Sequence, residues 1–196
     1  MALRIENPYT DPAAPWLKGN LHAHTTESDG TRPPQEVIDD YAARGYDFLM
    51  LSDHDKVTDP GAFQGRGMVL IPGNEVTAKG PHLLHVNGRA PLAPLEDRQL
   101  VLDGIEREAG SFAVITHPNW QDHYNHCPQE RLEAWKGYLG IEVYNGVIRR
   151  HSGSPLASDR WDRTARRYPL SRSAWVTAAR GFFFASCIAA ANSFSA

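Results

Sequence analysis

Short apolar runs, each closed by a histidine or a carboxylate, recur along the chain. Runs of about four apolar residues predict buried strands, and between them lie segments whose apolar residues return at helical spacing. After a turn-rich stretch ending at Pro34, Val37, Ile38, Tyr41 and Ala42 predict a helix that Gly45 ends, with residues 48–51 as the strand that follows. Residues 68–71, 83–86, 112–115 and 140–144 predict further strands. Residues 95–109, with Leu102 and Ile105 inward and Gly110 closing, predict a helix, as do residues 129–135 and residues 156 to about 166. Strand and helix alternate, so the expected fold class is α/β with a parallel sheet. In such a sheet the carboxyl ends of the strands share one rim, where loops collect functional groups.

The residues that close the runs are of metal-ligand type. His22 and His24 are two apart on an extended segment, so both side chains leave one face and can chelate one cation. Asp29, in Ser28-Asp29-Gly30, is either a further ligand or a turn-forming aspartate. Asp53-His54-Asp55 follows directly on an apolar strand, and three ionisable groups at a buried strand end are costly without a cation to pair with them. Glu75 after Gly73-Asn74 either bridges metals or caps a helix. His82 and His85 lie three apart on one strand and so face opposite sides, which leaves room for one ligand. His117, before Pro118, ends another apolar run. Glu142 and Asn145 end the next strand, where they either reach the same rim or cap a turn. His123, His126 and Cys127 have no second Cys/His pair nearby to complete a zinc site and read as a polar loop on the site's side.

Composition narrows the class without changing it. The chain has 196 residues, 41% of them hydrophobic and 22% charged, which suits one globular domain. A net charge of −3 supplies no general basic face for nucleic acid. Two cysteines make no disulfide framework, and charge and proline near the N-terminus interrupt any signal-peptide core, so a cytoplasmic location is expected. No serine-hydrolase elbow and no phosphate-cradling glycine loop occurs. From Arg163 onward there are five arginines and no acid, lysine or histidine. Residues 181–191 fall short of the ~18 apolar residues a membrane span needs, so no membrane association is expected.

The order of these motifs resembles the polymerase and histidinol phosphatase (PHP) family of metal-dependent phosphoesterases. Asn20-Leu21-His22-Ala23-His24-Thr25-Thr26-Glu27-Ser28-Asp29-Gly30 is similar to its first motif and Leu51-Ser52-Asp53-His54-Asp55 to its second. Glu75 is similar to its metal-bridging glutamate, and His117-Pro118 to a later motif. The resemblance implies a distorted seven-stranded β/α barrel, incomplete at its C-terminal end, with up to three Zn, Mn or Fe ions. By it, His22, His24 and Glu75 hold one metal, Glu75, His117 and either His82 or His85 a second, and Asp29 and His54 part of a third. It implies hydrolysis of phosphate mono- or diesters by metal-activated water, with Glu75, His117 and Asp53 as the catalytic set. The implied partner is a small phosphorylated substrate or a short oligonucleotide, and no protein. The family's last motif, Asp-x-His, has no counterpart after Asp162. The expected division is therefore an N-terminal extension over 1–18, the hydrolase domain over 19–162 and an atypical tail over 163–196. The sequence of that tail is what a frameshift or altered terminus produces. The alternative function is a metal-binding remnant impaired in turnover.

Overall fold

The helical pattern after Pro33 closes as α1 (Pro34–Ala43), with proline in its first turn and Gly45 at φ +68° just past its end. The computed structural model describes residues 17–121, 123, 125–167 and 182–183. In chain order its elements are β1 (Leu17–Asn20), α1, β2 (Phe48–Met50), β3 (Val69–Ile71), β4 (Gly73–Val76), β5 (Leu83–Val86), α2 (Arg98–Arg107), β6 (Phe112–Ile115), α3 (Gln129–Ala134), β7 (Tyr138–Ile141), α4 (Ser158–Arg167) and β8 (Phe182–Phe183). Helix α2 is shorter than its apolar pattern because the Asp97 side chain accepts the Gln99 N–H and starts the helix there.

Two four-stranded sheets form, in the orders β3-β2-β1-β8 and β4-β5-β6-β7. The first is parallel throughout. The second corrects the expectation of a parallel sheet, because β5 runs antiparallel to both β4 and β6 and only β6 and β7 are parallel. The cause is local: β3 and β4 are separated by Pro72 alone, and β4 returns through a short loop to β5 with no crossover helix. A closed seven-stranded barrel is not formed among the described residues; the fold is a mixed α/β arrangement.

The sheets share one apolar cluster, with Leu21, Met50 and Ile71 from the first facing Leu84, Val86 and Val114 from the second. Helix α1 covers the first sheet through Val37 and Ile38 against Leu49 and Leu51. Helix α2 covers the second through Val101, Leu102 and Ile105 against Leu83, Ala113 and Ile115. Each fully buried side chain of this kind contributes about 1.5–3 kcal/mol. Gly73 sits where the sheets approach: a Cβ there would lie 2.4 Å from both the Met50 sulfur and the His85 carbonyl.

The sheets also join at their rims. Beyond β2, His54 bridges to Glu75 in parallel sense, with Asp55 N–H donating to Glu75 O at 2.8 Å and Glu75 N–H to Asp53 O at 3.2 Å. This seam places the ends of β1, β2, β4, β6 and β7 beside the start of β5. Residues 1–16 of the expected N-terminal extension and most of the expected atypical tail lie outside the described residues, while α4 runs through the expected boundary at 162/163. Among the described residues no helix is long and apolar enough to cross a membrane.

Candidate metal centre

Glu75 is the centre of the rim. It is fully buried on β4, and its two oxygens face five imidazoles. Oε2 lies 3.4 Å from His22 Nε2, 3.4 Å from His24 Nε2 and 3.1 Å from His54 Nδ1. Oε1 lies 3.3 Å from His82 Nδ1 and 3.1 Å from His117 Nε2, and accepts the Thr116 hydroxyl at 2.9 Å. Asp29 closes the far side, with one oxygen 3.3 Å from His24 Nδ1 and the other 3.4 Å from His54 Nε2. Gly30 makes this possible: a Cβ on it would meet the His24 carbonyl at 2.5 Å, so only glycine lets the loop fold back so closely.

Each side chain owes its position to a strand end. His22 and His24 follow β1, His54 follows β2, Glu75 lies on β4 and His117 follows β6. His117 adopts φ +25°, a conformation a bulky residue rarely holds without surrounding constraint. His82 precedes β5, and because β5 is antiparallel its start lies at the rim, with the Thr116 N–H donating to the His82 carbonyl. His85 is three residues deeper and turned away. Its Nε2 lies 3.1 Å from Glu108, and Gly88 leaves space for its ring, so the structure brings His82 into the cluster and leaves His85 out.

Asp53 lies behind the ligands. It is buried, and its oxygens accept from Thr25 N (2.8 Å), Thr25 Oγ1 (2.9 Å), Ser28 Oγ (2.7 Å) and Thr58 Oγ1 (2.5 Å), so it anchors the 25–29 loop that carries Asp29 and does not line the cavity. Burial pushes its carboxyl up, but the hydrogen bonds from Thr58, Thr25 and Ser28 outweigh that and hold it below the usual range. The stability it contributes is therefore present above the ordinary carboxylate pKa and lost as pH falls through the lower folded value. Asp53→Ala orphans four donors and is expected to cost roughly 3 kcal/mol or more. A calorimetric melt checks this, and an unchanged melting temperature would refute it.

Two residues outside the expected ligand set support the cluster. Glu142, buried at the end of β7, accepts His22 Nδ1–H at 3.0 Å through one oxygen and His117 N–H at 2.9 Å through the other, while Asn145 Nδ2 donates to both at 3.2 Å. The carboxylate accepts from His22 Nδ1 and so turns Nε2 towards Glu75. His126 Nε2 accepts the His82 backbone N–H at 3.0 Å, and its ring packs on His82, His117 and Trp120. Burial, with His117 and His82 beside it, pushes the His126 imidazole down to about 3, so it is a neutral acceptor. Cys127 next to it belongs to the core, where burial pushes the thiol up to about 12. The strand-end position of Glu142 was a usable sequence signal; nothing in the spacing linked His126 to His82.

Electrostatics and satisfaction of polar groups both point to a cation. Burial alone would push His22 down, yet Glu142 and Glu75 hold it well above the usual imidazole range. Glu75 is held well below the usual carboxylate range against its burial, chiefly by His22, His117 and His54. Burial and the neighbouring His22 push His24 down to about 4. Glu75 Oε2, His24 Nδ1, His54 Nδ1 and His82 Nδ1 are buried without a hydrogen-bond partner, although each has a polar neighbour at 3.1–3.4 Å. Such groups are normally paired, and a set of imidazole nitrogens and carboxylate oxygens is what Zn, Mn or Fe accepts. Five groups of three among the described residues, His22/His24/Glu75, His54/Glu75/His82, His24/Asp29/His54, His82/His117/His126 and His22/His117/Glu142, each have their ligand atoms within 4.8 Å of one another. The cluster opens into a cavity of about 410 Å³ walled on one side by Trp120 and on another by Asn145, Val147 and His151.

No family model matches the chain. A curated relative, the 3′,5′-nucleoside bisphosphate phosphatase of Chromobacterium violaceum, is 39% identical over 74 residues, which are 35% of this chain and 26% of the relative. Among solved structures, a two-domain protein of Bacteroides vulgatus containing a predicted PHP-like metal-dependent phosphoesterase aligns with a TM-score of 0.53 at 26% identity, over 66% of this chain and 45% of that one. The chain thus spans about a quarter of the first relative and less than half of the second.

Proposed function

We propose that this chain, similar to a nucleoside bisphosphate phosphatase and to a PHP-like metal-dependent phosphoesterase, hydrolyses a phosphate ester of nucleotide size, with a nucleoside bisphosphate as the leading candidate. The observation that carries this reading is Glu75, whose two oxygens divide five imidazoles into adjoining ligand groups. His22, His24 and Glu75 would hold one cation and His24, Asp29 and His54 another, while Glu75 Oε1 with His82 and His117, 3.3 and 3.1 Å from it, would hold a further one. When bound, divalent cations supply Lewis acidity, bringing the pKa of water from ~16 towards ~7 and offsetting phosphoryl charge.

The protein's own groups do the rest. Thr116 fixes the Glu75 carboxylate and Glu142 fixes the His22 tautomer, so the donor atoms need little reorganisation when a substrate arrives. Trp120 and His126 pack behind His82 and His117 and shield that side from water. The cavity is within the size range that suits a small organic ligand.

The test is elemental analysis of purified protein together with a phosphate-release assay on a nucleoside 3′,5′-bisphosphate, a nucleoside monophosphate and a short oligonucleotide. Two or more transition-metal ions per chain, with a rate abolished by chelation and restored by Mn²⁺ or Zn²⁺, is the expected result. Protein that binds the metals and cleaves none of the three would instead be a metal-binding domain without turnover. A rate indifferent to chelation would overturn the metal-dependent reading.

A further inference from the structure

A second cavity, of about 630 Å³, adjoins the metal cluster. Its wall includes His22, His24 and Asp29 at one end and Arg32 and Arg44 at the other, and Tyr41 and Val147 line both cavities. The two spaces therefore meet over the cluster, and the second leads from it to a pair of guanidinium groups.

Those guanidiniums are gathered by one carboxylate. Arg32 Nη1 donates to Asp40 Oδ2, while Arg44 Nη1 lies 3.4 Å from Asp40 Oδ1 and donates to the Asp40 carbonyl at 2.6 Å. Asp40 offsets one of the two charges, so the group carries one net positive charge. Among the described residues the Nε and Nη2 donors of both arginines have no hydrogen-bond partner. Guanidinium donors of this kind match the oxygens of a phosphate in pairs.

Tyr41 adds a third donor, and its polarity follows from its neighbour. Asn20 Oδ1 accepts the His22 N–H at 3.0 Å, which orients the amide so that Nδ2 faces Tyr41 and donates to its oxygen at 2.5 Å. The phenol oxygen is thus an acceptor from Asn20, and its own hydrogen is left to donate elsewhere. Tyr41 is half-buried where the two cavities meet, so that donor belongs to the wall between the cluster and the arginines.

We propose that Tyr41, Arg32 and Arg44 form a subsite for a second phosphate of the substrate, held while the first lies at the metal cluster. This rests on the phosphoesterase reading and deepens it. The subsite selects a bisphosphorylated small molecule over its monophosphate, and the discrimination comes from helix α1, the loop before it and the residue that follows it, apart from the metal ligands.

The experiment uses metal-loaded full-length protein and two non-hydrolysable nucleoside phosphonates, one carrying a single phosphonate and the other two. Binding is read by calorimetry, without turnover. The second phosphonate is expected to tighten Kd by about tenfold or more. Arg44→Met and Arg32→Met should each remove most of that gain, and Tyr41→Phe part of it, while melting temperatures show that the variants are folded. Equal affinity for the two analogues, or variants that weaken both by the same factor, would overturn the subsite. Protein that discriminates the analogues but cleaves no phosphate ester keeps the subsite and loses the phosphoesterase reading. Protein that cleaves esters but binds the analogues equally loses the subsite alone.

Discussion

Glu75→Gln is expected to strip the cluster of its metals and to lower phosphoesterase turnover by about 10³-fold or more while the chain stays folded. Glu75 is anionic despite full burial, since His22, His117 and His54 together overcome the burial that would raise its pKa. Glutamine keeps the shape and one oxygen for the Thr116 hydroxyl, so packing survives. It also removes the charge that two ligand groups share, and turns an NH₂ group towards imidazole nitrogens that lie 3.1–3.4 Å from the carboxylate. A cation brought there would meet a donor in place of a second acceptor. Elemental analysis, kcat/KM and a far-ultraviolet circular dichroism spectrum are the measurements. Full metal content in the variant would remove Glu75 from the centre of the site.

How far the sequence carried this picture depends on what each residue's neighbours in the chain reveal. The first strand end was legible because His22 and His24 sit at period-two spacing, and residues 48–51 were legible because a fully apolar run leads into Asp53-His54-Asp55. Strand β4 was not, since Gly73-Asn74-Glu75-Val76 holds a single large apolar residue and its burial comes from the two sheets that enclose it. Missing β4 hid the reversal into β5, and with a parallel β5 the rim would have lain at its carboxyl end, near His85. The antiparallel direction puts the rim at His82, a distinction that spacing alone leaves open. Asp53 shows another limit: a carboxylate between ligand-type neighbours looks chemical in sequence, yet its four donors come from Thr25, Ser28 and Thr58 and make it an anchor for a loop. Such partners are set by tertiary contact and leave no local pattern.

Glu142→Ala is expected to weaken metal affinity by about 10–100-fold, through two ligands at once. One Glu142 oxygen holds the His22 ring and the other holds the backbone of His117, so a single carboxylate ties the first strand end to that of β6. Without it His22 is free to take either tautomer or to turn its ring, and the His117 N–H is left buried and unpaired. Glu142→Gln separates the two contributions. Its remaining oxygen can accept from only one of those donors well, so metal affinity should fall to a level between that of the wild type and that of the alanine variant. Because Asn145 donates to both oxygens, part of the geometry survives in glutamine and none in alanine. Metal affinity measured by competition with a chromophoric chelator, alongside melting temperatures with and without metal, distinguishes positioning from simple support of the fold. Positioning predicts that the melting shift produced by metal shrinks in step with affinity, whereas an equal loss of melting temperature in both states, at unchanged metal affinity, would make Glu142 a structural residue only.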